Sequence, residues 1–265
     1  MIVYLWRHNR TGLAVLAGLI GVRLVWHPSV SAGMTMAQCW LVSIAVVAGT
    51  SLLAVAARAT WLGVAAARSL AALPRAAEPA GLEGAIRRSG VSGVVCLAGA
   101  NPAAFCAGAL RPRLYLTAGA AEAIPAEELD AILVHEAAHA RRRDPLRRLM
   151  LRAAADVLFF LPLAGWWFGR QSERAELSAD RAAIDRLGAK AVARALTRMD
   201  GAGPAPATAV AFDGAAEARI AQLLGDDLPI RKPSRAGVIF SLTGLVVVVS
   251  LVMCIGQAAW GALTA

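Results

Sequence analysis

The chain has 265 residues, of which 58% are hydrophobic, with a mean hydropathy of +0.57 and a formal net charge of +9. Soluble domains are about half apolar, so this composition argues against an ordinary soluble globular protein. Because the basic residues cluster beside apolar stretches, contact with an anionic lipid bilayer accounts for the charge. No direct nucleic-acid partner is needed to explain it.

Two long uncharged stretches predict transmembrane helices. They cover residues 36–57 and 236–265, which are 22 and 30 residues without a formal charge. A helix needs roughly 20 apolar residues to cross a bilayer core, so both stretches are long enough. A third apolar stretch, residues 12–26, contains Arg23 and is either another span or part of a signal peptide cleaved near Ala32.

The distribution of Lys and Arg predicts the orientation of these spans. The loop over residues 27–35 has no Lys or Arg, whereas such residues follow the span at 36–57 and precede the span at 236–265. By the positive-inside rule, the N-terminus and the middle region, residues 58–235, then lie in the cytoplasm. We therefore expect a multi-pass membrane protein of about three transmembrane helices with a cytoplasmic central domain.

The middle region predicts a mainly α-helical domain with a small sheet. Residues 58–73 continue the helix of the preceding span, and Pro74 ends it. Alternating apolar residues then predict short strands, and Asn101-Pro102 marks a turn between two of them. The predicted elements are, in order, a helix at 82–89, strands at 91–98, 105–110 and 114–117, a helical turn at 119–124, and a longer helix at 127–139.

The helix predicted over residues 127–139 ends in the sequence His-Glu-Ala-Ala-His. Residues four apart lie on one face of a helix, so His135 and His139 can direct both imidazoles at one metal ion. Glu136 then points at the water that completes the coordination, which is the position of a general acid/base. This spacing is typical of zinc peptidases. The alternative is an amphipathic helix that carries two histidines by chance.

Residues 146–169 predict an interfacial or re-entrant helix. Residues 157–169 form a run of 13 without charge, which is too short to cross a bilayer. A true crossing would also place the next candidate ligand on the far side of the membrane. We expect Pro162 to break this segment as it returns to the same side.

Glu176 is the best candidate for a third ligand of one zinc ion per chain. Two histidines and one carboxylate leave a fourth position for water, as catalytic zinc sites require. Asp180, one helical turn later, is predicted to accept a hydrogen bond from a ligating histidine. Glu173 competes with Glu176 as ligand, and the alternative for all three carboxylates is the solvated face of a charged helix.

The remainder of the chain carries fewer signals. Residues 190–199 predict a helix, residues 201–208 a Gly/Pro/Ala linker, and residues 217–224 an amphipathic helix that packs on the core or binds a partner. The four cysteines form no Cys-x-x-Cys pair, so we expect neither a thiolate zinc site nor a disulfide.

Several of these motifs, in this order, resemble the BlaR/MecR membrane metallopeptidases, gluzincins that act as antirepressors in β-lactam resistance. The resemblance covers roughly residues 90–225 and is more distant to the HtpX and CaaX-prenyl proteases. Ala179 stands where the family usually has Cys and matches the HtpX pattern instead, and we expect no penicillin-sensor domain after the last span. The motifs are His-Glu-x-x-His at 135–139, Arg-Arg-Arg-Asp-Pro-Leu at 141–146, Phe-Phe-Leu-Pro-Leu…Trp-Trp at 159–167 and Glu-x-x-x-Asp at 176–180.

This resemblance implies a gluzincin-like α+β zinc-peptidase domain in a bacterial inner membrane. It implies zinc on His135, His139 and Glu176, with Glu136 as catalytic acid/base and Asp180 supporting a ligand. The expected partner is a protein or peptide substrate such as a cytoplasmic winged-helix repressor, and a homodimer stays open. The alternatives are a quality-control peptidase like HtpX and a non-catalytic signalling scaffold. The strand that we expect to hold the substrate consists of Leu114, Tyr115, Leu116 and Thr117.

Overall fold

A computed structural model describes residues 36–200, 216–228 and 232–264 of this chain. The predicted apolar stretch at 12–26 and the predicted linker at 201–208 lie outside these residues. The structure is mostly helical and contains one three-stranded sheet. This agrees with the predicted fold class in its mixture of many helices and a small sheet.

The elements follow one another as nine helices and three strands over the described residues. Predicted helices at 82–89, 127–139, 190–199 and 217–224 are all confirmed, with ends within two residues of those expected. In chain order the elements are α1 (Met36–Ala71), α2 (Ala80–Ser89), β1 (Val94–Leu97), β2 (Ala104–Ala107), β3 (Arg113–Thr117), α3 (Ala118–Ala123), α4 (Ala126–Arg141), α5 (Asp144–Val157), α6 (Pro162–Leu187), α7 (Ala189–Asp200), α8 (Ala216–Leu224) and α9 (Arg235–Thr264).

The chain divides into two compact units. The first contains, among the described residues, 36–61, 150–168 and 232–264, and the second contains 62–149 and 169–231 apart from the stretches outside the description. The sheet and all the predicted ligands belong to the second unit.

Helix α1 runs without a break, which confirms that residues 58–71 continue the helix of the stretch predicted to span the membrane at 36–57. Among the residues that the structure describes, one helical segment, Ala48–Ala71, is long and apolar enough to cross a membrane. Only 6% of its most apolar part is buried, as expected for a surface that faces lipid. Residues 235–245 of α9 form a shorter apolar segment. One candidate membrane helix is therefore found, and the three-span topology stays a prediction.

The structure confirms a break near Pro162 in the segment predicted at 146–169 and shows that the segment belongs to two helices. Helix α5 ends at Val157, and α6 begins at Pro162 and runs for 26 residues. Proline suits the first turn of a helix because its missing N–H would have no partner there, so the break lies at residues 158–161 and Pro162 starts α6. The Ser241 hydroxyl accepts a hydrogen bond of 3.0 Å from the Leu163 N–H, one of the orphan donors of that first turn.

The sheet has the order β1-β3-β2, so β3 lies in the middle. It pairs in parallel with β1 and antiparallel with β2, which confirms the predicted pairing of the second and third strands. Because both edges of β3 are already paired, an added substrate strand has no free backbone groups to bind there. The expectation that Leu114, Tyr115, Leu116 and Thr117 receive the substrate strand is therefore wrong.

Helix α4 forms the centre of the second unit. Leu129 and Leu133 are each 1% exposed and pack among apolar side chains of α2, α7 and the sheet. Pro125 precedes the helix, and Glu127 and Glu128 place negative charge at its positive end. Burial on nearly every face explains why the helix shows no strong amphipathic pattern. The two histidines lie in its C-terminal half.

Candidate metal centre

The predicted ligands converge on one point. The Nε2 atoms of His135 and His139 are 3.2 Å apart, and each lies 3.5 Å from an oxygen of Glu176. One ligand atom from each of the three residues lies within 4.8 Å of the others. Helix α4 supplies both imidazoles from one face because their spacing of four residues is close to one turn. Helix α6 supplies the carboxylate from a distant part of the sequence.

Each histidine uses its other ring nitrogen to bind a buried carboxylate. His135 donates from Nδ1 to Asp180 Oδ1 at 2.9 Å, and His139 donates from Nδ1 to Asp144 Oδ2 at 2.8 Å. A carboxylate can only accept here, so the proton belongs on Nδ1 and the lone pair on Nε2 is free for a metal. Two imidazoles with this tautomer and one carboxylate are a donor set that fits zinc.

Two arginines surround the carboxylate of Glu176. Arg148 of α5 donates to Oε1, and the Nη1 atom of Arg219 of α8 lies 3.5 Å from Oε2. Arg219 also donates two hydrogen bonds to the carboxylate of Asp180, from Nε to Oδ2 at 2.6 Å and from Nη2 to Oδ1 at 2.8 Å. These cations compensate the carboxylates that surround the histidines.

A cavity of about 190 Å³ is lined by two of the three candidate ligands, His135 and Glu176. Glu136 lines it and, among the residues that the structure describes, forms no hydrogen bond or ion pair. Its carboxylate is thus exposed to whatever enters the cavity. The other polar lining residues are His135, Glu176, Asp180 and Arg219, and the apolar ones are Ala104, Ala131, Ile132, Val192, Ala195, Leu196 and Met199.

The family model described as BlaR1 peptidase M56 matches residues 22–217, which is most of the chain and includes the three candidate ligands and Glu136 but not Arg219. The chain belongs to the M56 peptidase family. Membership indicates a membrane-associated metallopeptidase of the BlaR1 kind. A search of curated proteins finds no match.

Glu173, the competing ligand, occupies a different environment in this M56 chain. It is 5% exposed, and both of its carboxylate oxygens accept from Arg170 at 3.0 Å. Glu176, one turn later, is the carboxylate that meets the histidines. The histidines of α4 therefore contact Glu176, whereas Glu173 pairs with Arg170 within α6.

The turn between α4 and α5 holds Asp144 against His139 and is itself bound to α6. Arg142 contacts Asp144 at 3.5 Å and donates to the Ser178 hydroxyl and to the Ala175 carbonyl, so it ties this turn to α6. Arg143 has φ = +53°, a left-handed conformation that is uncommon outside glycine and asparagine. This sharp turn brings Asp144, at the start of α5, back to His139.

Without a metal ion, the histidines and carboxylates of this cluster shift one another's pKa values so that the charged forms are favoured. Burial alone would lower the pKa of His135, but its hydrogen bonds to Asp180 and Glu176 and the charge of Glu136 raise that pKa to about 9. The pKa of His139 is also raised, since Asp144 and Glu176 outweigh the effect of burial. Burial would raise the pKa of Glu176, yet the two histidines hold it well below its usual value. A metal ion would therefore replace protons that these groups bind in its absence.

Sequence reasoning missed three members of the M56 site, namely Asp144, Arg148 and Arg219. Asp144 had one usable signal, because a carboxylate that opens a helix five residues after a ligating histidine can turn back to it. No signal in the sequence singles out Arg148 or Arg219, because the chain contains 27 Lys and Arg residues. Their roles depend on how α5 and α8 pack.

Proposed function

We propose that this chain is a membrane-bound zinc endopeptidase that cleaves a protein substrate at the cytoplasmic face of the membrane. The observation that carries the proposal is the convergence of His135, His139 and Glu176 beside a cavity lined by Glu136. Zinc is the metal that this donor set favours, and it would be held by those three side chains.

Each of the chain's own groups has a defined role in peptide hydrolysis. Glu136 accepts a proton from the attacking water and passes it to the leaving nitrogen. Asp144 and Asp180 hold the ligating imidazoles in one tautomer and orientation. When bound, zinc supplies a Lewis acid that polarises the scissile carbonyl and lowers the pKa of its water to about 7.

The edge strand β2 is the best place for the substrate backbone. The Thr117 N–H donates to the Ala103 carbonyl at 2.9 Å, so residue 103 faces β3. Backbone direction alternates along an antiparallel strand, which leaves the N–H and C=O groups of Ala104 and Cys106 on the open edge. Ala104 also lines the cavity. A peptide added along β2 would then pass the three ligands and make main-chain hydrogen bonds.

Regulated cleavage of a repressor is the first choice of biological role. Membership of the BlaR1 peptidase family supports signal-dependent proteolysis, and a winged-helix repressor in the cytoplasm is the corresponding substrate. The excess of basic residues over residues 58–88 and 231–235 supports a cytoplasmic site in a bacterial inner membrane.

A quality-control peptidase like HtpX is the second candidate, and one observation favours it. Ala179, which precedes Asp180, is fully buried. It stands where the BlaR/MecR proteins usually have Cys and where the HtpX pattern has Ala. A non-catalytic scaffold is less consistent with the site, because it has no need of a carboxylate at the position of Glu136.

The test is cleavage by the zinc-loaded, detergent-solubilised chain and by its Glu136→Gln variant. We expect the variant to keep its zinc and to lose activity by about 10²–10⁴-fold, the usual contribution of a general acid/base. The substrates are a candidate winged-helix repressor and a set of misfolded membrane proteins. Cleavage of the misfolded proteins with the repressor left intact indicates quality control, and equal cleavage by both enzyme forms contradicts the peptidase proposal.

A further inference from the structure

We infer that Arg219 is a positioning residue of the metal centre, acting on His135 through Asp180 and on the ligand Glu176 directly. The inference rests on the proposed function only in taking His135, His139 and Glu176 as metal ligands. It assigns to α8, a short helix from the C-terminal part of the chain, a share in shaping a site built by α4 and α6.

The geometry of the guanidinium supports this role. Arg219 reaches both oxygens of Asp180, and Oδ1 of that carboxylate also accepts from His135. The fork therefore fixes the plane of the carboxylate that in turn fixes the imidazole. The remaining terminal nitrogen lies 3.5 Å from Glu176 Oε2, the oxygen on the His135 side. One planar group thus contacts a metal ligand and the carboxylate that orients another ligand.

The charge balance of the site gives a second argument. Asp180 is 0% exposed, and a buried carboxylate needs a nearby cation or strong donors to stay ionised. His135 supplies one donor, and that donor must keep a single proton if its Nε2 atom is to bind a metal. Arg219 supplies the compensating charge without competing for the ligand's lone pair. Without it, Asp180 would hold the proton of His135 more tightly or turn toward the metal itself.

The chemistry needs arginine rather than any cation. A guanidinium is planar and presents its donors in a fixed fork, whereas an ammonium is a point charge on a flexible stem. Lysine at residue 219 would reach one oxygen of Asp180 and leave the carboxylate free to rotate. The conservative variant should therefore restore the charge of the site without restoring its orientation.

Helix α8 offers a matched control in Gln222. Its Nε2 atom donates to the Leu177 carbonyl at 2.9 Å, so it holds α8 on α6 as Arg219 does, but it contacts neither Asp180 nor Glu176. Ala218, the residue before Arg219, is fully buried and keeps α8 packed in either variant. A general loosening of α8 and a specific loss of the guanidinium can thus be separated.

The experiment uses the full chain with Glu136→Gln, so that no cleavage occurs, and adds Arg219→Ala, Arg219→Lys or Gln222→Ala. Zinc affinity is measured by chelator competition, and the ligand geometry by the visible absorption of the cobalt-substituted protein. For Arg219→Ala we expect zinc affinity to fall by about 10- to 100-fold and the cobalt spectrum to change. The Lys variant recovers only part of the affinity, methylguanidinium added to the Ala variant restores the spectrum, and Gln222→Ala matches the parent.

Three results would overturn the inference: parental affinity and spectrum in Arg219→Ala, full recovery by lysine, or the same losses in Gln222→Ala. If Arg219→Ala does not fold by circular dichroism, the Lys variant against the parent decides the question. Failure of the proposed function gives a different result, since a chain that binds zinc but cleaves nothing leaves the Arg219 comparison intact. A chain that binds no zinc at all removes both.

Discussion

The two histidines of the candidate metal centre are supported in different ways. His139 is oriented by Asp144, five residues later in the chain, and the next turn of α5 supplies Arg148. His135 is oriented by Asp180 on α6, which is held by Arg219 a further 39 residues along. One side of the site is thus built by neighbours in sequence and the other by helices that meet only in the folded chain.

This difference indicates which histidine is sensitive to changes elsewhere in the protein. The His139 side is fixed by one tight turn and keeps its geometry as long as α4 and α5 are formed. The His135 side depends on α6 and α8 staying in contact, and α8 precedes the apolar segment at the start of α9 along the chain. We therefore expect changes in the C-terminal part of the chain to reach the metal through His135.

The largest predicted effect separates the two glutamates of α6. Glu176→Gln should reduce bound zinc from one ion per chain to near background, because an amide is a much poorer ligand than a carboxylate. Glu173→Gln should keep its zinc, since Glu173 pairs with Arg170. Metal analysis of the two purified variants beside wild type checks this. Zinc retained in both variants would remove Glu176 from the site.

The second prediction measures the coupling on each side. Asp144→Asn, Asp180→Asn and Arg219→Ala should each lower zinc affinity by about 10- to 100-fold. Asp180→Asn combined with Arg219→Ala should cost less than the product of the single effects, because both changes break one network. Asp144→Asn combined with Arg219→Ala should be additive, since these residues lie on opposite sides of the ligands. Equal coupling in both pairs would contradict the distinction between the two sides.

The third prediction concerns pH. In the metal-free chain the pKa of His135 is about 9, above its usual value of about 6.5, so the folded state binds this proton more tightly than the unfolded state. The resulting stability is fully present below pH ~6.5 and is lost as pH rises through about 9. Melting temperatures of the metal-free protein should therefore fall over this range. Asp180→Asn should flatten the fall, and a profile unchanged by that variant would refute the assignment to His135.

The smallest predicted effect lies in the turn between α4 and α5. Arg143 has φ = +53°, which glycine adopts without a steric penalty. Arg143→Gly should shift the free energy of unfolding by only about 1 kcal/mol or less, because relief of strain is offset by added freedom of the unfolded chain. Zinc affinity should stay the same. Arg142→Ala is the contrasting variant, and a larger loss of zinc affinity is expected because Arg142 contacts Asp144.

The ligand-bearing helix was predictable because its signals are local. Pro125 and two glutamates mark its start, and the spacing of His135 and His139 fixes their common face before any tertiary structure is known. Glu176 followed from the chemistry that a zinc site requires. The packing of α6 agrees with its choice over Glu173, which pairs with Arg170 instead.

Other features needed information that the sequence does not carry locally. The hairpin of β2 and β3 was predictable from its turn, but a strand of four residues such as β1 gives no signal of which edge it will join. Because β1 pairs with the second edge of β3, β3 has no edge left for a substrate strand, and the unpaired edge beside the cavity belongs to β2. The arginines at 148 and 219 likewise acquire their roles only when α5 and α8 approach α6.

Helix α4 is fastened by contacts that do not involve the metal. Arg88 of α2 binds both oxygens of Asp130 at 2.8 and 3.0 Å, and Arg198 of α7 pairs with the buried Glu128. Small zinc fingers unfold when they lose their ion, because the ion is their main source of stability. Here the scaffold should persist without an ion, so on the proposed function depletion of the ion would stop activity and resupply would restore it, with no new protein synthesis.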